Sequence, residues 1–176
     1  MSAISFTSKV QKIGPRWIVR LPADASARLP SRGQVAVTGL IDGQALQAVL
    51  EPDGRRGHWL KVDKNLKSAL RVNEDSIVAL EIEPTREWPE PDIPKDFKTA
   101  LADASDISEL WTDITAMARW EWVRWINATR NAETRERRIQ VAISKLRSGK
   151  RRPCCFDLAA CTDPDLSKNG RLVEAV

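Results

Sequence analysis

Arg135 and Arg138 are the residues best placed to do chemistry. They lie between Asn131 and Gly149, close to an apolar stripe of Ile139, Ala142, Ile143 and Leu146 rather than opposite it. A guanidinium is a planar fork of donors that fits a carboxylate or a phosphate two bonds at a time. A cation held near a core stripe needs a partner, because burying it alone is very costly. Two readings stand. Glu133 or the acidic stretch upstream neutralises the pair as structure, or the pair holds an anionic ligand. Trp120 and Arg124 share the face of the preceding helical run that turns away from Trp122, Trp125 and Ile126. Trp120 is there either a stacking platform or a residue packed against the other domain. His58, the single histidine, begins a strand after a glycine-bearing turn. A general base needs an orienting partner, and the sequence places none beside it. The alternative is a hydrogen-bonded histidine at the mouth of a β-domain. His58, Arg135 and Arg138 together define the candidate ligand site, with Arg124 and Trp120 as neighbours.

The charge pattern frames these choices. Residues 1–86 carry 13 Lys/Arg and 9 Asp/Glu, 87–118 carry 2 and 8, 119–152 carry 11 and 3, and 153–176 carry 2 and 4. A block of net −6 therefore abuts a block of net +8. Packed neighbouring helices of opposite charge would produce this, and so would an anion-binding surface. Arg137, Lys145, Arg147, Lys150, Arg151 and Arg152 point outward or lie in the exit from the last helix. They read as a solvated face, or alternatively as a nucleic-acid patch.

No catalytic constellation is visible. The sequence holds no phosphate loop, no dinucleotide fingerprint and no nucleophile elbow, so neither an enzyme nor a cofactor is implied. His58 and the three cysteines, Cys154, Cys155 and Cys161, make four zinc ligands on paper. Their spacing matches no common zinc motif, and an odd, crowded set is no disulfide framework. No apolar run approaches the ~20 residues of a membrane span. The N-terminus MSAISFTSKV lacks the pattern of a signal peptide, which points to the cytoplasm. Partners are left open, with an anionic ligand, a protein or a nucleic acid all compatible.

The elements that must position these residues fall into two classes. Residues 1–83 read as a small β-domain. Ile4, Phe6 and Val10 share one parity, then Trp17, Val19 and Leu21, then Val35, Val37 and Ile41. Asp42-Gly43 is a hairpin signal with both turn positions at positive φ. Leu46, Ala48 and Leu50 return from it, His58, Leu60 and Val62 follow, and Val78, Leu80 and Ile82 finish the set. Ala23–Leu29 and Asn65–Leu70 read as short helices. Five or six strands this short favour a closed barrel over an open sheet with bare edges. Residues 84–95, with prolines at 84, 89, 91 and 94, form an extended linker. Residues 96–152 are helical: Asp96–Ala102, then a helix capped by Ser105 or Asp106, then the tryptophan-rich run, then a helix capped by Asn131 and ended by Gly149. Residues 153–176 read as a loosely ordered tail. The fold class is α+β, a closed barrel of about six strands followed by a small all-helical domain.

Trp122-Val-Arg-Trp-Ile126, Glu133-Thr-Arg135, Arg138-Ile139 and Gly149-Lys-Arg-Arg-Pro153 resemble the bacterial YdeI/OmpD-associated family, also called bacteriocin-protection proteins. Arg20-Leu-Pro22, Val35–Gly39 with Ile41-Asp-Gly43, Gly57–Leu60 and Asp75–Val78 resemble the small domain of unknown function that often precedes it. The resemblance spans about residues 1–157. It implies a closed barrel before a helical domain and a link to stress or bacteriocin resistance, with no established reaction. The family usually has Gly before the Asp that leads into the last strand, where this chain has Glu74-Asp75. If Glu74 has to adopt positive φ, the turn costs on the order of 1 kcal/mol. The family also often has Tyr where Trp122 stands.

Overall fold

Alternation along the N-terminal half builds a barrel. The computed structural model describes residues 2–153 and 157–174. Six strands, β1 (Ile4–Ile13), β2 (Arg16–Arg20), β3 (Val35–Ile41), β4 (Gln44–Pro52), β5 (His58–Lys61) and β6 (Ile77–Pro84), pair antiparallel in the closed order β1-β2-β5-β4-β3-β6. Closure leaves no bare edge. Its interior is filled by every second residue, among them Ile4, Val10, Val19, Val37, Leu50, Leu60, Val78 and Ile82. Two short helices, α1 (Ala23–Ala27) and α2 (Lys64–Leu70), lie between strands. Leu66 and Leu70 of α2 pack against the core, and Asp63 caps that helix by accepting from the Leu66 amide at 2.8 Å.

The turns follow the chemistry of their residues. Asp42 and Gly43 take φ of 47° and 78°, so the β3–β4 hairpin has the tight turn its sequence predicts. At Glu74-Asp75 the positive φ, 68°, falls on Asp75 and not on Glu74. Aspartate tolerates the left-handed region better than most residues, and the Asp75 amide donates to the Val10 carbonyl at 2.8 Å. The cost expected at Glu74 does not arise.

The C-terminal segment corrects the expectation of a loose tail. Two two-residue strands, β7 (Ser167–Lys168) and β8 (Arg171–Leu172), form a hairpin. Cys161, Leu166 and Leu172 are buried together with Ile13, Ile18 and Trp59. Ile18 and Trp59 neighbour the barrel-core residues Val19 and Leu60, so β2 and β5 are covered on both faces. A few buried apolar side chains were enough to order a segment poor in them.

Residues through Pro89, with Asp157–Cys161 and the segment from Asp165, form one compact unit. Glu90 onward through the helices, with Thr162–Pro164, forms the other. Thr85–Pro94 has no regular structure. In the second unit, α3 (Lys95–Asp103), a 3-10 turn (Ser105–Ile107), α4 (Ser108–Asp113), α5 (Ala116–Asn127) and α6 (Ala132–Arg147) enclose a separate core. Phe97, Ile114, Trp122, Ile126, Ile139 and Leu146 lie at its centre. Asn131 caps α6 by accepting from the Thr134 amide at 2.9 Å. Gly149, at φ 89°, ends it, with the Gly149 amide bonded to the Leu146 carbonyl and the Lys150 amide to that of Lys145. Neither Ser105 nor Asp106 caps α4, because the chain enters that helix through the 3-10 turn and both residues fall inside it.

Candidate functional site

The helical unit carries an open groove of about 890 Å³ between α3 and α6. Its floor comes from Ala100 on α3 and Ala104 just beyond its end, and from Ile139 and Ile143, one helical turn apart on α6. Its rim is charged, with Lys95, Asp96 and Asp103 on the α3 side and Arg135, Glu136 and Arg147 on the α6 side.

Arg135 stands at one end of this groove. Its Nε donates to Asp96 Oδ2 at 2.6 Å and its Nη2 to Asp96 Oδ1 at 3.0 Å, while Nη1 donates to Asn127 Oδ1 at 2.9 Å. These bonds hold the Asp96 carboxyl below its ordinary range. At the other end Arg147 grips Asp106 in the same two-toothed way, Nε to Oδ2 at 2.6 Å. That pairing lowers the Asp106 carboxyl and raises the Arg147 guanidinium. Arg138 instead donates to the Trp125 carbonyl at 2.7 Å and lies 5.4 Å from the centre of that indole. Lys145, about two turns further along α6, approaches the same ring at 5.9 Å. Trp125 thus carries a cationic cover.

The two charge blocks meet each other. Arg119 pairs with Glu90, Arg135 with Asp96, Arg147 with Asp106 and Arg151 with Asp113. Each pair joins a basic residue of 119–152 to an acidic residue of 87–118. Arg152 takes Glu121, from within the basic block, through Nε to Oε2 at 2.7 Å and a second bond from Nη2. That pair raises the Arg152 guanidinium. The exit segment is further tied by the Trp122 indole N–H, which donates to the Arg151 carbonyl at 3.0 Å. Of the residues proposed as a nucleic-acid patch, Arg147, Arg151 and Arg152 are therefore bound to carboxylates. Arg137 and Lys150 are exposed.

Two placements differ from the sequence reading. Arg124, expected on an outward face, is 7 % exposed. Glu121 and Val123 are buried as well, so α5 is covered on several sides, with Asn127 at its end exposed. Trp120 is half-buried. His58 belongs to the barrel, and both ring nitrogens are engaged there. Nε2 lies 2.9 Å from the Gly33 carbonyl and must donate to it, which leaves Nδ1 to accept from the Ser26 hydroxyl at 2.7 Å. Burial pushes the imidazole below its ordinary value. Both ring nitrogens of His58 are thus engaged within the barrel unit itself.

Arg119 was not among the candidates. It binds Glu90 and the carbonyls of Trp111 and Ile114, stapling the linker end to α4. The signal that could have found it was its position, the first residue of the basic block. Cys154 and Cys155 lie outside the described residues, and Cys161 is buried. Among the described residues no group of three or more His, Cys, Asp or Glu side chains is arranged to hold a metal. None of their helices is long and apolar enough to cross a membrane.

Comparison with known families agrees with this division. Residues 6–82 match the model of a domain of unknown function, DUF1905. Residues 90–149 match the model described as bacteriocin-protection, YdeI or OmpD-associated. Among curated proteins none matches the chain. Residues 90–149, the helical unit, thus form a domain of the YdeI/OmpD-associated family, and residues 6–82, the barrel, form a DUF1905 domain in front of it.

Proposed function

We propose that this protein is a non-enzymatic, cytoplasmic binding protein that contributes to bacteriocin or antimicrobial-peptide tolerance. The observation that carries the reading is the α3–α6 groove within the family-matched span. Its apolar floor and charged rim suit an amphipathic peptide, whose apolar side chains would lie over Ala100 and Ile143 and whose charged groups would meet the rim. Asp103 and Glu136 supply acidic contacts on the rim, and Lys95 supplies a basic one. The engagement of His58 by Ser26 and Gly33 supports binding over acid–base chemistry at that residue. The test is survival of a deletion strain under bacteriocin challenge, complemented by the wild-type chain or by Ala100→Trp, which fills the groove from α3. The wild type should restore survival and the groove-filled variant should not. Unchanged survival of the deletion strain would end the reading.

A further inference from the structure

The barrel has an apolar face on its outside. Strand alternation normally leaves outward positions polar, but here Ile18 on β2 and Trp59 on β5 turn away from the interior, and Ile13 at the end of β1 joins them. Cys161, Leu166 and Leu172 cover this face, with Val173 at its margin. We infer that it is a peptide-docking site, occupied in cis by the chain's own residues 157–161 and 165–174, and that these residues open and close over it while the barrel stays folded.

The face is shaped for a peptide. Asp53 folds its own loop by accepting from the Arg55 and Gly57 amides at 2.6 and 2.8 Å. Its main-chain carbonyl then accepts from the Leu172 amide at 2.8 Å. Gly54, at φ 74°, lets the Gly170 carbonyl come so near that a Cβ on residue 54 would stand 1.9 Å from its oxygen. At Gly33 a Cβ would lie 3.0 Å from the Leu158 carbonyl. Two arginines of β2 complete the grip, Arg16 on Asp165 at 3.1 Å and Arg20 on the Val173 carbonyl. Recognition thus combines a main-chain bond, apolar sockets and two guanidinium groups.

The same geometry makes the segment separable. The ladder of the six barrel strands closes on itself, and the segment pairs only with itself through β7 and β8. Only three of its described side chains are buried, and the stretch is mostly loop. Regions with few buried apolar contacts open at lower free energy than the core they rest on. Opening would bare Ile13, Ile18 and Trp59 as one apolar patch, the kind of surface that binds another chain.

Hydrogen exchange on the full chain tests this. The amides of Cys161, Leu172 and Val173 should exchange together, ~100-fold faster than those of Val37 and Ile82. Gly54→Val should remove their protection and leave the barrel amides unchanged. Equal exchange of segment and barrel in the wild type would overturn the inference. A second arm uses Leu172→Asp in the full chain, with a fluorescent peptide of residues 157–174 as the probe. The peptide should bind this variant and not the wild type, whose face is already filled. Absence of binding to a variant whose barrel amides remain protected would also overturn it, and if that variant does not fold, the wild-type exchange decides.

Discussion

Gly39 on β3 passes so close to Glu81 on β6 that a Cβ at residue 39 would stand 1.9 Å from the Glu81 carbonyl oxygen. Backbone, not a flexible side chain, occupies that space. Gly39→Ala should therefore push β3 and β6 apart and destabilise the barrel by about 3 kcal/mol. A urea midpoint equal to that of the wild type would show that the two strands separate freely.

His58 should be neutral in the folded protein at pH 7. Its folded pKa lies below the ordinary 6.5, so on acidification the unfolded chain takes up a proton first. Its contribution to stability is complete above about pH 6.5 and declines as pH falls toward the folded value. The chain has one histidine, so its imidazole resonances can be followed by NMR without overlap. Their titration midpoint should lie below pH 6.5. His58→Ala, which leaves the Ser26 hydroxyl and the Gly33 carbonyl without their partner, should cost roughly 2–4 kcal/mol.

The Arg135–Asp96 pair has the opposite protonation chemistry and the same sign. The guanidinium holds the Asp96 carboxyl below its ordinary 3.8. The stabilisation is present above that value and is lost as pH falls through the folded one. Asp96 is 44 % exposed, so solvent screening keeps the term near 1 kcal/mol. Arg135→Met should lower stability by about that amount at pH 7, and the gap between variant and wild type should close in acid. A gap that persists once Asp96 is protonated in the folded protein would assign the loss to packing or to the Asn127 bond instead.

Nucleic-acid binding by the helical unit should be weak, because Arg119, Arg135, Arg147, Arg151 and Arg152 are held by carboxylates. Mobility-shift assays should show no complex even at ~50 mM salt. Releasing Arg147 and Arg151 with Asp106→Asn and Asp113→Asn should create a salt-sensitive complex. A wild-type complex that weakens steeply with salt would mean that Arg137, Lys145 and Lys150 suffice.

Much of this architecture is legible along the chain. The switch from two-residue to helical periodicity near Pro84 marks the change from barrel to helices. Asp42-Gly43, Asn131 and Gly149 each do what their side chains, or lack of one, dictate locally. The C-terminal segment was not legible, because its order comes from residues far away. Arg16-Trp-Ile-Val-Arg20 and His58-Trp-Leu-Lys61 did hold a clue, since adjacent apolar residues in a strand mean that both faces are covered. Arg124 was misplaced for a related reason. Helical spacing names an apolar face but cannot say that the opposite face is covered too. Of the two partners open to Arg135, Glu133 nearby or the acidic block upstream, the structure gives it Asp96 of the acidic block. A guanidinium needs a carboxylate aimed along its fork, and Asp96 on the facing helix offers one.

The covering of Ile13, Ile18 and Trp59 by residues beyond 160 has a consequence for biosynthesis. Every strand of the barrel precedes residue 85, so its ladder can zip while the remainder is still being translated. The residues that shield its greasy flank emerge later, after an interval of roughly 4–16 s at ordinary elongation rates. During that interval the nascent chain displays a sticky indole and two isoleucines, which is where a trigger-type holdase would find its foothold.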